Sequence, residues 1–340
     1  MDWLFKSNSA IDETAATTKR RKFFAIGLTF LILFYIGSII SAFISMIPTY
    51  MVLFGDETFV NIIAENMDSD YDTIMGIVEE QLPLIIESHS SAIQIINFFA
   101  TAGTIICVLF YCLKIEKRRF FTLGFVKKGA VTEYAFGLLI GLLMFASVYG
   151  IILLSGEAQF DGFNQNASGS VILLFFLGFV IQGASEEVLL RSYFFVTTSA
   201  NTNVTLGVLA NSLLFAALHI GNPNITFLAF INLFLFGVFA SLYFLRRGSI
   251  WGISALHTIW NFAQGNIFGC NVSGIEISDS LLLTSTPIGE LWSGGAFGPE
   301  GGIAVTLIYI IGIAILTFMK NKEYDGFYAV KKGEFVSDYY

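Results

Sequence analysis

Charge is scarce in this chain. Asp, Glu, Lys and Arg make up only 13% of its 340 residues, against about 25% in an ordinary soluble domain. With 55% hydrophobic residues, 36 of all residues being Phe, that scarcity excludes a soluble globule and leaves little chain for a separate soluble domain. Cysteine is scarcer still. Cys107 and Cys112 lie in one apolar stretch and Cys270 stands far away, which argues against a disulfide framework or a CxxC metal site. No basic stripe interleaved with aromatics is present and the net charge is −8, so no nucleic-acid partner is expected. No small-residue cleavage site of the A-x-A kind follows the first apolar run, which therefore reads as a retained span. No internal repeat of fixed period is visible.

What the chain does have is apolar runs near the 20 or so residues that a membrane helix needs. They lie at about 23–50, 91–113, 134–154, 171–197, 204–221, 225–245, 249–268 and 301–319. The expected fold is an all-α integral membrane protein, a bundle of about eight transmembrane helices. The basic residues give the orientation. Lys6, Lys19, Arg20, Arg21 and Lys22 precede the first run, and Lys114, Lys117, Arg118, Arg119, Lys127 and Lys128 follow the second. Arg246, Arg247, Lys320, Lys322, Lys331 and Lys332 complete the inside set, and the outside loops hold no Lys or Arg. The positive-inside rule then predicts both termini in the cytoplasm, in parity with eight spans.

Four regions follow: a cytoplasmic basic N-terminus at 1–22, an N-terminal membrane region at 23–169, a motif-bearing core at 170–268, and an outer loop, last span and cytoplasmic tail at 269–340. The N-terminal region includes an acidic extracytoplasmic loop, about 51–90, with nine carboxylates. Apolar residues spaced among them predict one or two amphipathic helices, and the acidic spacing does not match an EF-hand loop. A solvated negative face is the plainer reading. The Gly-, Ser- and Thr-rich loop 269–300 reads as irregular.

One basic residue breaks the pattern. Arg191 sits inside an apolar stretch, in the run Glu186-Glu187-Val188-Leu189-Leu190-Arg191. A charge at the centre of a membrane helix costs roughly 2.5–3.5 kcal/mol on insertion scales. Two further segments carry polar groups at the same i,i+4 spacing, Phe215-Ala216-Ala217-Leu218-His219 and His257-Thr258-Ile259-Trp260-Asn261. Residues four apart share one helix face, so each segment can aim its polar groups inward. Glu186 and His219 are equidistant from the turn between the fourth and fifth spans, which places them at one depth in a hairpin, at most roughly 20–25 Å from the turn. Plainer roles are open for each. Glu187 and Arg191 form a structural ion pair in one reading. Glu186 is then a protonated acid bonded to a carbonyl, the histidines and Asn261 bond across helices, and Phe215 merely packs. The remaining histidine, His89, reads as exposed.

EExxxR, FxxxH and HxxxN in that order resemble the motif set of the CPBP intramembrane proteases, also called the CAAX protease and bacteriocin-processing, or Abi, family. The stretch Gly237 to Ile253 also looks like that family's approach to its last motif, and the resemblance covers about residues 170–265. It implies peptide-bond hydrolysis in or near the membrane, on a membrane-embedded or lipid-anchored peptide or protein. Eukaryotic members trim prenylated C-terminal tripeptides; bacterial ones are linked to bacteriocin processing or immunity. A multi-pass protein of a bacterial plasma membrane is the expected location.

Under that resemblance Glu186 is the general base on a water. His219 holds the water or passes a proton to the leaving amine, and His257 and Asn261 bind the oxyanion. Glu187, Arg191 and Phe215 are support. A rival chemistry uses Glu186, His219 and His257 as ligands of a catalytic zinc; no H-E-x-x-H helix is present, which favours metal-free activation. A non-catalytic immunity or partner-binding protein and a proton-coupled transporter are further alternatives. The intact motifs argue against the first, and the absence of an inverted repeat against the second.

Overall fold

In the computed structural model, which describes residues 6–286 and 289–322, the apolar runs become helices and the helices carry apolar residues on their outsides. A short helix α1 (Ser9–Thr17) precedes α2 (Phe23–Phe54). Two amphipathic helices, α3 (Glu57–Glu65) and α4 (Tyr71–Ser88), occupy the acidic loop. Then come α5 (Ser90–Ile115), α6 (Ala130–Ser155) and α7 (Gly169–Asn201). The last group is α8 (Val204–Leu218), α9 (Phe227–Arg247), α10 (Ile250–Phe262), prolonged by a π turn to Ile267, and α11 (Ile303–Phe318). Helices α2, α5, α6, α7 and α9 are long and apolar enough to cross a membrane. Helices α8 and α11 are apolar but shorter, and α10 carries polar residues along its buried faces. Phe24, Leu154, Phe227 and Phe318 are all more than three-quarters exposed, as side chains facing lipid would be.

Small residues set how closely the helices meet. A Cβ on Gly137 of α6 would lie 2.1 Å from the carbonyl oxygen of Gly252, and one on Gly141 would lie 2.4 Å from the Ile259 side chain. Without apolar solvent exclusion to drive association in lipid, such backbone approach is what dispersion needs. It seats α10 between α6 and α7, in the middle of the bundle, where nearly every residue of α10 is buried.

The basic residues collect at one end. Arg21 donates to Glu116, Tyr111 and Thr29, and its backbone N–H to Asn201 Oδ1 (2.6 Å). Arg118, buried, donates to Thr14, Thr122 and Thr197. Glu133 accepts from Arg247 (2.7 Å) and Lys322 (2.6 Å), and Asn321 Nδ2 donates to the carbonyl of Ser7 (3.0 Å). Residues near both ends of the described chain therefore meet the α5–α6 and α9–α10 connections. Lys331 and Lys332 lie outside the described residues.

Two expectations need correction at the opposite end. The 269–300 loop is not wholly irregular. Leu282–Ser285 (β2) pairs antiparallel with Gln159–Phe163 (β1), with a bulge between Phe160 and Gly162, so the fold carries a small sheet beside its helices. Sequence periodicity hid this, because strands of five and four residues are too short to show a repeated alternation. His89 is not merely exposed either. Its Nε2 sits 2.9 Å from Asp56 Oδ2, and that bond, with the Phe59 backbone N–H, holds the Asp56 carboxyl below its ordinary value.

Candidate active site

The chemistry-bearing run lies on α7 where the helix changes pitch. Gly183 allows close approach to α10, since a Cβ there would lie 3.0 Å from the Thr258 backbone nitrogen. Directly after Glu187 the helix widens into a π turn, Val188–Phe195, every residue of which is buried. Such turns recur at functional sites because they re-aim side chains without breaking the helix. Glu187 and Arg191 are both fully buried, and Arg191 Nη1 donates to Glu187 Oε1 at 3.0 Å.

That same oxygen has a second partner, His257 Nδ1 at 2.9 Å. A carboxylate oxygen accepts, so the imidazole carries its proton on Nδ1 and turns Nε2 toward Glu186, 3.9 Å from Oε2. His219 caps the C-terminus of α8, and its Nδ1 lies 2.8 Å from the Phe215 carbonyl oxygen. A carbonyl also only accepts, so the neutral ring keeps its lone pair on Nε2. A second chain of bonds runs through amides. Asn261 Nδ2 donates to Gln182 Oε1 (3.1 Å), and Gln182 Nε2 donates to Glu186 Oε1 (2.5 Å). Glu186 Oε2 is buried with no hydrogen-bond partner.

Aromatic rings close the back of the site. The Arg191 guanidinium carbon stands 4.8 Å from the centroid of Phe215 and 5.5 Å from that of Phe236. Stacking of this kind supports a cation that has few hydrogen-bond partners. Phe215 also lies against His219, with ring centroids 4.7 Å apart.

Glu186, Phe215, His219, His257 and Asn261 all line one cavity of about 440 Å³, whereas Glu187 and Arg191 stand behind it. The cavity is bounded by Ser41 of α2 and Thr104 of α5 on one side and by Ser273 and Glu300 of the 269–300 loop on another. Among the described residues, no three His, Cys, Asp or Glu side chains are grouped to hold a metal ion. The set Glu186, His219 and His257 thus does not fit a zinc centre as placed.

All seven residues singled out from sequence converge here. Three contributors escaped that reading. Gln182 is one turn before Glu186 on the same face, and an amide inside an apolar run was the available signal. Phe236 was one Phe among many. Glu300 comes from a loop whose path no periodicity encodes.

Residues 168–263 match the family model described as Rce1-like: Type II CAAX prenyl endopeptidase Rce1-like. Comparison with curated proteins and with solved structures finds no match. The matched segment begins just before α7 and ends just past Asn261, so it contains all three motifs. Together with the long apolar helices it makes this chain a multi-pass membrane protein with a membrane protease core. That segment, with its cavity-facing glutamate and two histidines, belongs to the CAAX protease (CPBP) family of membrane endopeptidases.

Proposed function

We propose that the chain is an intramembrane endopeptidase in which Glu186 activates a water against the scissile carbonyl. The observation that carries this reading is the free, buried Oε2 of Glu186, facing His257 Nε2 across 3.9 Å while its Oε1 is tied down by Gln182. In that arrangement Oε2 takes the water proton as the water oxygen bonds to the carbonyl carbon. The lone pair of His219 Nε2 accepts the other water hydrogen and orients the molecule. The carbonyl becomes an oxyanion, which Asn261 Nδ2 stabilises with its second N–H. His257 joins it when the imidazole carries a proton on both nitrogens. The carbon–nitrogen bond then breaks, and the proton held by Glu186 goes to the leaving amine. Eight membrane crossings with both termini on the cytoplasmic side belong to the same proposal.

The test is cleavage of apolar peptides by the purified full chain, wild type beside Glu186→Ala, with metal content measured on both. Cleavage lost by about 10³-fold or more in the variant, with no bound metal, is expected. Equal cleavage by the two would end the reading. One zinc per chain that disappears with His219→Ala or His257→Ala would replace it with metal-assisted hydrolysis.

A further inference from the structure

Glu300 is the second carboxylate of the cavity, and it lies outside the family-matched segment. Its placement is built from three parts of the chain. Its Oε2 accepts the backbone N–H of Ser273 at 2.8 Å and the Ser273 hydroxyl at 2.6 Å. Its backbone carbonyl accepts from Asn232 Nδ2 of α9 at 2.8 Å, and the same amide holds the Gly302 carbonyl at 2.9 Å. Thr306 of α11 fixes that amide by donating to Asn232 Oδ1 at 2.6 Å. Gly298 lets the turn form: its φ is 91°, and a Cβ there would lie 2.1 Å from the Asn271 carbonyl oxygen.

The result is a carboxylate only 6% exposed that faces the cavity. Removing a carboxylate from water is costly unless a counter-charge is supplied. Among the described residues Glu300 has no ion pair, and no Lys or Arg lines the cavity. Arg191 is committed to Glu187 behind the wall. The cavity therefore holds two carboxylates, with no Lys or Arg and only the imidazoles of His219 and His257 as bases. Such a lining attracts a positive group.

We propose that Glu300, held by Ser273 and Asn232, is a specificity subsite for a cationic side chain, Lys or Arg, of the peptide substrate. This rests on the endopeptidase reading for its meaning, but its test does not need turnover.

The probe is an end-blocked, fluorescently labelled apolar peptide with Lys scanned through each position, compared with norleucine and Glu at the same position. Binding is measured to the detergent-solubilised full chain carrying Glu186→Gln, with and without Glu300→Gln. Glutamine keeps the shape and the acceptor for Ser273 and removes only the charge. At one position Lys should bind about tenfold tighter than norleucine, and Glu weakest. Glu300→Gln should bring the three within about twofold. If that variant does not fold, Glu300→Asp, with the charge drawn back by one methylene, should reduce the Lys preference several-fold. No Lys preference at any position, or a preference unchanged in both Glu300 variants, overturns the subsite. Cleavage by the unsubstituted chain is scored separately: its absence counts against the endopeptidase reading, while the binding series still decides the role of Glu300.

Discussion

Oε1 of Glu187 accepts from two charged or chargeable donors, Arg191 and His257, while the neighbouring Glu186 keeps an oxygen free in the cavity. Adjacent residues on a helix point about 100° apart, which is how one motif serves two purposes. The two carboxylates should fail differently. Glu187→Gln leaves a fully buried guanidinium without its counter-charge, at a cost of about 3–5 kcal/mol. Its melting temperature should fall well below wild type and expression with it. Glu186→Gln faces the cavity and should melt near wild type while losing turnover. Thermal unfolding and peptide turnover on both variants check this; a Glu187→Gln protein as stable as wild type would contradict it. The i,i+4 spacing in sequence pointed to Arg191 as the partner of Glu187. It carried no sign of His257, seventy residues on, because that contact depends on how α7 and α10 cross.

Among the elements, α3 and α4 carry the acidic loop and contribute nothing to the cavity lining. Two of the loop's carboxylates serve the helices themselves: Asp56 and Asp70 accept the backbone N–H groups of Phe59 and Thr73 as N-caps. Changing Asp68, Asp70 and Asp72 together to Asn keeps a capping oxygen at Asp70 and removes the charge. Turnover on a saturating peptide should stay within about threefold of wild type, the size expected for surface changes. A collapse of activity would make the loop a gate. The amphipathic pattern of this loop was readable because helices of this length repeat their apolar face several times. The short strands in 159–163 and 282–285 were not, since their pairing is a contact between distant loops.

For the whole molecule, Arg21, Arg118, Arg247 and Lys322 gather at one end, the end that the positive-inside rule would place in the cytoplasm. Reporter fusions after Lys22, Ser88, Lys128, Asp161 and Arg247 should read inside, outside, inside, outside, inside. An outside reading at Arg247 would break the eight-span arrangement and the depth match between Glu186 and His219 with it.

By itself the sequence determined the solvent of this protein, the approximate helix positions and the three motifs. Each rests on local properties: apolar run length, charge placement and residues one turn apart. Only the tertiary structure decided that Gln182 joins Asn261 to Glu186, that Arg191 faces Phe215 and Phe236, and that Glu300 reaches the same cavity. Those contacts depend on glycine-mediated helix approach and on the path of the 269–300 loop. Both are set by packing across the bundle, where no local pattern in the chain records who the neighbour will be.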